Sequence, residues 1–122
     1  HELMNGAGVR GFLQEVTGRA SDFCDMQATR YSAGHFLTVH DDDAGPAKNR
    51  KLAYVLSLTE GWSPAWGGQL QFLDGNGGVS ASFTPRFNAL SVFAVPAPHH
   101  VSQVASFAPT GRVSLTGWFR AR

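Results

Sequence analysis

This chain of 122 residues has a single cysteine, a net charge of only +1 and no long apolar run, and each of these features argues against a class of protein. The single cysteine, Cys24, cannot form an internal disulfide, so nothing favours an oxidising compartment, and a small buried side chain is its expected role. The net charge of +1 gives no electrostatic basis for binding nucleic acid or a membrane surface. No apolar run approaches the roughly 20 residues of a membrane span, and no signal-peptide pattern is present. We therefore expect a cytoplasmic protein.

Glycine and phenylalanine are plentiful, with 14 and nine copies. That composition favours short strands joined by turns over a helical bundle. Four apolar residues near the amino end recur at helical spacing and predict one helix, with Gly18 as its stop. They are Val9, Phe12, Leu13 and Val16.

From residue 27 onward the pattern changes to one that is typical of strands. Eight strands are predicted, over residues 27–32, 35–40, 51–59, 68–73, 79–83, 87–95, 100–105 and 112–120. Turn residues separate them, as at Asp43–Pro46. This mainly β pattern fits a jelly-roll-like double sheet, with a mouth between the sheets where polar side chains can form a site. We expect a single domain spanning residues 1–122, either complete or a fragment that lacks amino-terminal elements.

The tripeptide His40-Asp41-Asp42 is the first candidate for chemistry. On an extended chain, residues i and i+2 point to the same side, so His40 and Asp42 can both reach one metal ion. The alternative is an acidic solvated turn, because three consecutive aspartates precede Gly45. The basic run at 48–51 is interpreted as a solvated loop, which could also steer an acidic region of a substrate.

His99 and His100 form the second candidate, because they follow a Pro-Ala-Pro turn and open a strand. Alternation allows only one of them to face a metal ion, and the spacing from His40 does not decide which. The alternative is a pair of partly exposed histidines at a strand start.

Arg112 and Ser114 form the third candidate, on a strand that otherwise looks buried. Alternation puts four polar or aromatic side chains of this strand on one face: Arg112, Ser114, Thr116 and Trp118. A buried arginine needs an anionic partner, which could be a ligand carboxylate or, as the alternative, a carboxylate of the protein.

The order of these residues is more specific than any one of them. Two imidazoles and one carboxylate on one face of a metal leave the opposite positions free, which suits a non-haem Fe(II) centre that binds a co-substrate and O₂. A cation and a hydroxyl, thirteen and fifteen residues after His99, could hold the far carboxylate of a keto acid. If the pieces converge in space, the pattern predicts an oxygenase.

The chain resembles the Fe(II)/2-oxoglutarate-dependent dioxygenases of the prolyl 4-hydroxylase type. It is most similar to the branch that hydroxylates a prolyl residue of a small-subunit ribosomal protein in eukaryotes. The matching stretches cover most of residues 27–120. They are Tyr31 to Asp42, Arg50 to Leu58 with Trp62 and Gly67-Gly68, His99 to Val104, and Arg112 to Phe119. The resemblance implies a double-stranded β-helix, a cupin-like jelly roll, with an amino-terminal helix.

The resemblance also implies roles for individual residues. His40, Asp42 and His99 would be the iron ligands, and His99 is preferred over His100 because the family pattern is H-x-V, with Val101 as the valine. The residues implied for the co-substrate are Arg112, Ser114, Tyr31 and Ser57. The chain departs from the family at Ser57, where members often have a tyrosine, so 2-oxoglutarate would be held through water or by Ser114.

The activity that the resemblance implies is hydroxylation of a prolyl residue of a protein or peptide. The cofactors would be Fe(II), 2-oxoglutarate as co-substrate, O₂ and ascorbate, with succinate and CO₂ as co-products. The carboxylate of Asp42 favours hydroxylation, because related halogenating enzymes lack it. Two alternatives stay open: a hydroxylase of a free amino acid or other small molecule, and a non-catalytic cupin-like barrel that binds a metal or ligand. Neither nucleic acid nor a membrane is expected as a partner.

Overall fold

A computed structural model describes residues 2–43, 45 and 48–122. The predicted turn at Asp43–Pro46 lies partly outside the described residues, since these include only Asp43 and Gly45 of it. Within the described part of the chain, none of the helices combines the length and apolar character that crossing a bilayer requires.

Two helices open the chain, α1 (Glu2–Asn5) and α2 (Ala7–Thr17). The predicted helix and its stop are confirmed: Gly18 has a left-handed φ of 75°, and its N–H donates to the carbonyl of Gln14. Only a narrow stripe of α2 is covered, however. Leu13 is buried, whereas Phe12 and Val16 on the neighbouring row are exposed.

Nine strands follow. They are β1 (Phe23–Cys24), β2 (Gln27–Tyr31), β3 (Leu37–His40), β4 (Arg50–Ser57), β5 (Leu70–Leu73), β6 (Val79–Phe83), β7 (Ala89–Ala94), β8 (His99–Val101) and β9 (Arg112–Arg120). The sequence predicts all but β1, whose two residues are too few to show alternation. The predicted strand 100–105 is shorter than expected and starts one residue earlier, because beyond Val101 the backbone bonds to loop carbonyls such as that of His35.

The strands form two antiparallel sheets. The larger sheet has the order β1-β9-β4-β7, with β2 also paired to β9, and the smaller sheet has the order β3-β8-β5-β6. From β3 onward the chain passes repeatedly between the sheets, so strands that are distant in sequence become neighbours. This is the predicted double-stranded β-helix, mainly β with a helix at the amino end, and the fold prediction is confirmed.

A compact core ties the helices to the outer face of the larger sheet. Its buried members are Met4, Leu13, Cys24, Leu52, Tyr54 and Phe119. Cys24 is a free, buried thiol, as expected for a small apolar side chain. The Tyr54 hydroxyl donates to the carbonyl of Asp25 at 2.7 Å, so its polar end is satisfied within the core. The space between the sheets is thereby left for polar side chains.

Candidate metal centre

Strand pairing brings together two histidines that are 59 residues apart. His40 ends β3 and His99 begins β8, and the two residues stand directly opposite each other in the antiparallel pair. Their ring centroids are 4.1 Å apart. The pairing of β3 with β8 therefore places two imidazoles side by side at one end of the space between the sheets.

Asp42 completes the group, but not in the way that the sequence suggests. The expectation that His40 and Asp42 share a face of one extended strand is wrong, because β3 ends at His40 and Asp42 has a left-handed φ of 67°. The turn brings its carboxylate back: Oδ1 lies 2.9 Å from Nε2 of His40, and Oδ2 lies 3.3 Å from Nε2 of His99. The three potential ligand atoms lie within 4.8 Å of one another.

Backbone carbonyls orient both rings. Nδ1 of His40 lies 2.9 Å from the carbonyl of Thr38, and Nδ1 of His99 lies 2.6 Å from that of Ala97. Since a carbonyl only accepts, each Nδ1 carries the proton and each Nε2 lone pair is free for a metal ion. Burial lowers the pKa of His99, against the opposing effects of the Ala97 carbonyl and Asp42. The neutral imidazole that a metal requires is therefore the favoured form.

His100 points away from this group. Its Nε2 lies 2.6 Å from Oε1 of Gln71, on the neighbouring strand β5. Alternation along β8 separates the two adjacent histidines, and the structure puts His99 in the group and His100 outside it.

A cavity of about 470 Å³ connects the His–Asp–His group with the predicted co-substrate residues. Arg112 and Tyr31 line it from β9 and β2, where they are paired across the two strands. Arg112 is 3% exposed. Its Nε donates to the carbonyl of Gly68 at 2.8 Å, and its carbon Cζ lies 5.5 Å from the centre of the Tyr31 ring.

No carboxylate neutralises Arg112 among the residues that the structure describes. Burial lowers its pKa, an effect that Tyr31 opposes. The alternative of an ion pair within the protein is thus absent from the described residues. A buried cation without a counter-ion costs free energy unless an anion reaches it, so the geometry suits a ligand carboxylate.

Two serines lie beside the guanidinium. Ser114 is fully buried, accepts from Nη1 of Arg112 at 3.4 Å, and shares a 2.8 Å hydrogen bond with the Thr29 hydroxyl. Ser57 on β4 stands opposite Ser114 on β9, and it lines a small adjoining pocket with Arg112. All four predicted co-substrate residues thus lie at the Arg112 end of the site.

Sequence reasoning missed one pair in the cavity, Arg50 and Trp118. The Arg50 guanidinium lies 3.6 Å from the centre of the Trp118 ring, and its Nη1 donates to the carbonyl of Asp42 at 3.2 Å. Nε of Arg50 and Nε1 of Trp118 are buried without a hydrogen-bond partner in the described structure. The basic run at 48–51 was interpreted as a solvated loop, so no feature of the sequence indicated that Arg50 lines the cavity. Alternation does predict the position of Trp118, because it puts this residue on the Arg112 face of β9.

The fold and the site define a class: a jelly-roll barrel whose mouth carries two histidines and an aspartate on one side of a cavity, a ligand set that suits non-haem Fe(II). The family model described as the 2OG-Fe(II) oxygenase superfamily matches residues 26–120. The chain belongs to this superfamily.

Two similar proteins are described as prolyl hydroxylases. The chain is 30% identical over 135 residues to the prolyl 3,4-dihydroxylase OGFOD1 of Ostreococcus tauri, covering 99% of this chain and 26% of that protein. It is 34% identical over 118 residues to the prolyl 3-hydroxylase OGFOD1 of Xenopus laevis, covering 90% of this chain and 22% of that protein. The chain thus spans about a quarter of the length of these relatives.

Among solved structures, a Pseudomonas putida prolyl-4-hydroxylase superposes with a TM-score of 0.80 at 30% identity. The match covers 94% of this chain and 62% of that one. It confirms the resemblance to the prolyl 4-hydroxylase type, and the structural likeness covers nearly the whole of this chain.

Proposed function

We propose that this chain is the catalytic domain of an Fe(II)- and 2-oxoglutarate-dependent dioxygenase that hydroxylates a prolyl residue of a protein or peptide. The observation that carries the proposal is one cavity that contains both the His40–Asp42–His99 group and the buried Arg112, which has no carboxylate partner among the described residues. Family membership and the prolyl hydroxylases among its relatives support the reaction class.

His40, Asp42 and His99 would hold the iron. Two neutral imidazoles and one carboxylate fit Fe(II) and leave positions open for co-substrate and O₂. When bound, the iron supplies the oxidation that converts 2-oxoglutarate and O₂ to succinate and CO₂ while one oxygen atom is transferred to substrate. The protein's part is to fix the ligand atoms, which it does through the carbonyls of Thr38 and Ala97.

Arg112 would bind the distal carboxylate of 2-oxoglutarate. Its Nε is committed to Gly68 and its Nη1 bonds only weakly to Ser114, so the outer part of the guanidinium is available. Ser114 and Tyr31 adjoin it, while Ser57 is too short to replace a tyrosine hydroxyl, so its contact would be made through water. The guanidinium anchors one end of the co-substrate and thereby orients its keto acid towards the His–Asp–His group.

Arg50 and Trp118 would contact the substrate residue. The indole face that the Arg50 guanidinium leaves uncovered suits the apolar ring of proline. Nε of Arg50 and Nε1 of Trp118 are buried and have no partner among the described residues, so they would donate to a peptide carbonyl once substrate binding uncovers them. Since Arg50 also donates to the carbonyl of Asp42, the substrate contact and the metal ligand share one side chain.

We also propose a cytoplasmic location. The one cysteine is a free, buried thiol, which agrees with a reducing compartment.

Co-substrate binding is the decisive test. Fe(II)-loaded protein is titrated with 2-oxoglutarate without oxygen, and the visible charge-transfer band of the chelate is followed. We expect Arg112→Gln to raise the dissociation constant for 2-oxoglutarate by about 30-fold or more, as is usual when one partner of a buried charge pair is lost, with iron retained. Arg30 provides the control, because it is exposed and lies on β2 between the cavity-lining residues Thr29 and Tyr31. Arg30→Gln should leave the dissociation constant for 2-oxoglutarate unchanged.

The remaining outcomes separate the alternatives. Band formation followed by gain of one oxygen atom on a proline-containing peptide, read by mass spectrometry, supports the proposal. Succinate release that is stimulated by free proline and by none of the peptides would indicate a small-molecule hydroxylase. Iron binding without any band would indicate a metal-binding barrel that has no place for 2-oxoglutarate.

A further inference from the structure

The two sheets leave a second opening at the β7 edge of the larger sheet, which is the edge opposite to β2. β6 is the outer strand of the smaller sheet and β7 is the outer strand of the larger one. The segment 84–88 joins them, and neither strand pairs on its outer side with any residue that the structure describes. A cleft of about 840 Å³ lies between these two free edges, and we call it the β6–β7 cleft.

Phenylalanines form the wall of the β6–β7 cleft. Phe72 and Phe93 lie at its back with ring centroids 4.8 Å apart, and Phe83 packs on Phe72 at 6.0 Å. Phe72 and Phe93 also contact the ring of His99, at 5.7 Å and 4.7 Å, so they form the layer between the cleft and the metal centre. The cleft is therefore a separate site that backs onto the first one.

The rim of the cleft remains open to solvent although it is apolar. Phe83 is 50% exposed and Leu90 is 44% exposed. A row of backbone N–H and C=O groups without a strand partner among the described residues runs along the outer edge of β6, and another runs along that of β7. An apolar wall between unpaired strand edges is the arrangement that receives an extended peptide, since the backbone gives hydrogen bonds and the pocket takes alternate side chains.

Arg86 determines the charge of the cleft. It is the only charged side chain among the described residues that line it, and it is exposed. It has no ion pair or hydrogen bond to any described residue. A lone cation at the edge of an apolar cleft attracts an acidic partner and repels a basic one.

We propose that the β6–β7 cleft binds an extended peptide segment that pairs with a free strand edge, buries aliphatic side chains against Phe72, Phe83 and Phe93, and places an acidic residue beside Arg86. This is a second peptide site, separated from the metal centre by the layer of Phe72 and Phe93. A second copy of the chain fits less well. Residues 79–94 contain no acidic residue, so in a symmetric pairing of this edge the same segment of the copy would offer Arg86 no carboxylate.

The test uses the full, Fe(II)-loaded chain under anaerobic conditions and a fluorescein-labelled probe, Glu-Val-Thr-Val-Thr-Val-Glu, followed by fluorescence anisotropy. The probe has no proline, so it lacks the residue that the proposed reaction modifies. We expect it to bind about tenfold or more tightly than the same peptide with lysine at both ends. Arg86→Glu should reverse that preference, whereas Arg30→Glu, an exposed arginine outside the cleft, should leave it unchanged.

A second probe tests strand pairing. N-methylation of the three valines removes the donors of one edge of the peptide, and N-methylation of the two threonines and the second glutamate removes those of the other edge. We expect one of these two peptides to lose binding, because pairing is then impossible on the edge that the cleft uses. The proposal is overturned if the glutamate and lysine peptides bind equally, if Arg86→Glu has no effect, or if both methylated peptides bind as well as the parent. Sedimentation provides a further check. The proposal is also overturned if the chain forms a dimer that the probe does not dissociate and that Leu90→Asp does dissociate, because a second copy would then occupy the cleft.

Discussion

At the scale of the residue, the site depends on which atom of each side chain the backbone has already engaged. Two adjacent histidines of one strand have opposite fates: His99 gives its Nδ1 proton to a carbonyl and presents Nε2 to Asp42, whereas Nε2 of His100 is held by Gln71. The guanidinium of Arg112 is positioned in the same way by Gly68. Chemistry at this site is therefore set by hydrogen bonds to groups that do not themselves react.

This asymmetry predicts unequal effects of two neighbouring substitutions. If His99 is a metal ligand as proposed, His99→Ala should weaken metal binding by about 100-fold or more, because a ligand would be lost rather than a group that supports one. His100→Ala removes no atom from the group and should leave metal affinity unchanged. Calorimetric titration of each variant with Co(II), a spectroscopic substitute for Fe(II), measures both, and circular dichroism checks that each is folded. Loss of metal binding in His100→Ala alone would move the ligand by one residue.

At the scale of the element, the loop before β5 is what holds Arg112 in place. Gly68 donates to the carbonyl of Ser102, and Ala105 donates to that of Trp66, so the loop is tied to the segment after β8. Gly67 has a φ of 72°, and a Cβ there would overlap the carbonyl oxygen of Gln103. Glycine is thus required both for the backbone conformation and for the close approach.

Gly67→Ala should therefore be strongly destabilising. A strained left-handed residue and a backbone clash together should lower the free energy of unfolding by about 2–4 kcal/mol. Gly75→Ala is the matched control, since a Cβ at that turn meets nothing within 4 Å, and its effect should stay below about 0.5 kcal/mol. Urea denaturation followed by tryptophan fluorescence measures both variants. Equal stability of the two would show that the loop can move away from Gln103 at no cost.

At the scale of the whole molecule, the core beneath the larger sheet contains one buried phenol that links three elements. Tyr54 on β4 donates to the carbonyl of Asp25 between β1 and β2, and the Asp25 carboxylate accepts from the backbone N–H of Trp118 on β9. Burial raises the pKa of Tyr54 well above its usual value, and the neighbouring Cys24 and Asp25 add to the effect. The phenol is held protonated as long as the molecule is folded.

Stability should consequently fall at alkaline pH. Because the folded-state pKa of Tyr54 is raised, the unfolded chain loses the proton first, and the free energy of unfolding declines as pH rises above about 10, the usual tyrosine pKa. Tyr54→Phe removes this dependence but leaves the Asp25 carbonyl unpaired, so it should be less stable by about 1–3 kcal/mol near neutral pH.

The measurement is the urea midpoint of the two proteins from about pH 8 to about pH 11, a range that spans the tyrosine pKa. The difference between them should shrink as the pH rises. Burial also raises the pKa of Cys24, and its hydrogen bond with Tyr54 acts in the opposite direction, so both proteins are compared in a Cys24→Ala background. A constant difference across the range would show that Tyr54 titrates normally in the folded molecule.

Local pattern was sufficient for much of the architecture. Alternation of period two identified eight of the nine strands and put Arg112, Ser114 and Trp118 on one face of β9. Gly18 marked the end of α2, because a left-handed residue there favours glycine. The order of two histidines, an aspartate and an arginine along the chain, together with family resemblance, was enough to predict an Fe(II) and 2-oxoglutarate site before any geometry was known.

Only the tertiary structure determined how those residues meet. The pairing of β3 with β8 sets His40 against His99, and a left-handed turn, not a continuing strand, returns Asp42 to them. Packing against Trp118 converts Arg50 from an apparent loop charge into a wall of the cavity. The physical reason is one of range: side-chain alternation and turn preference act within a few residues, whereas strand partners and burial depend on contacts between segments that lie far apart in the chain.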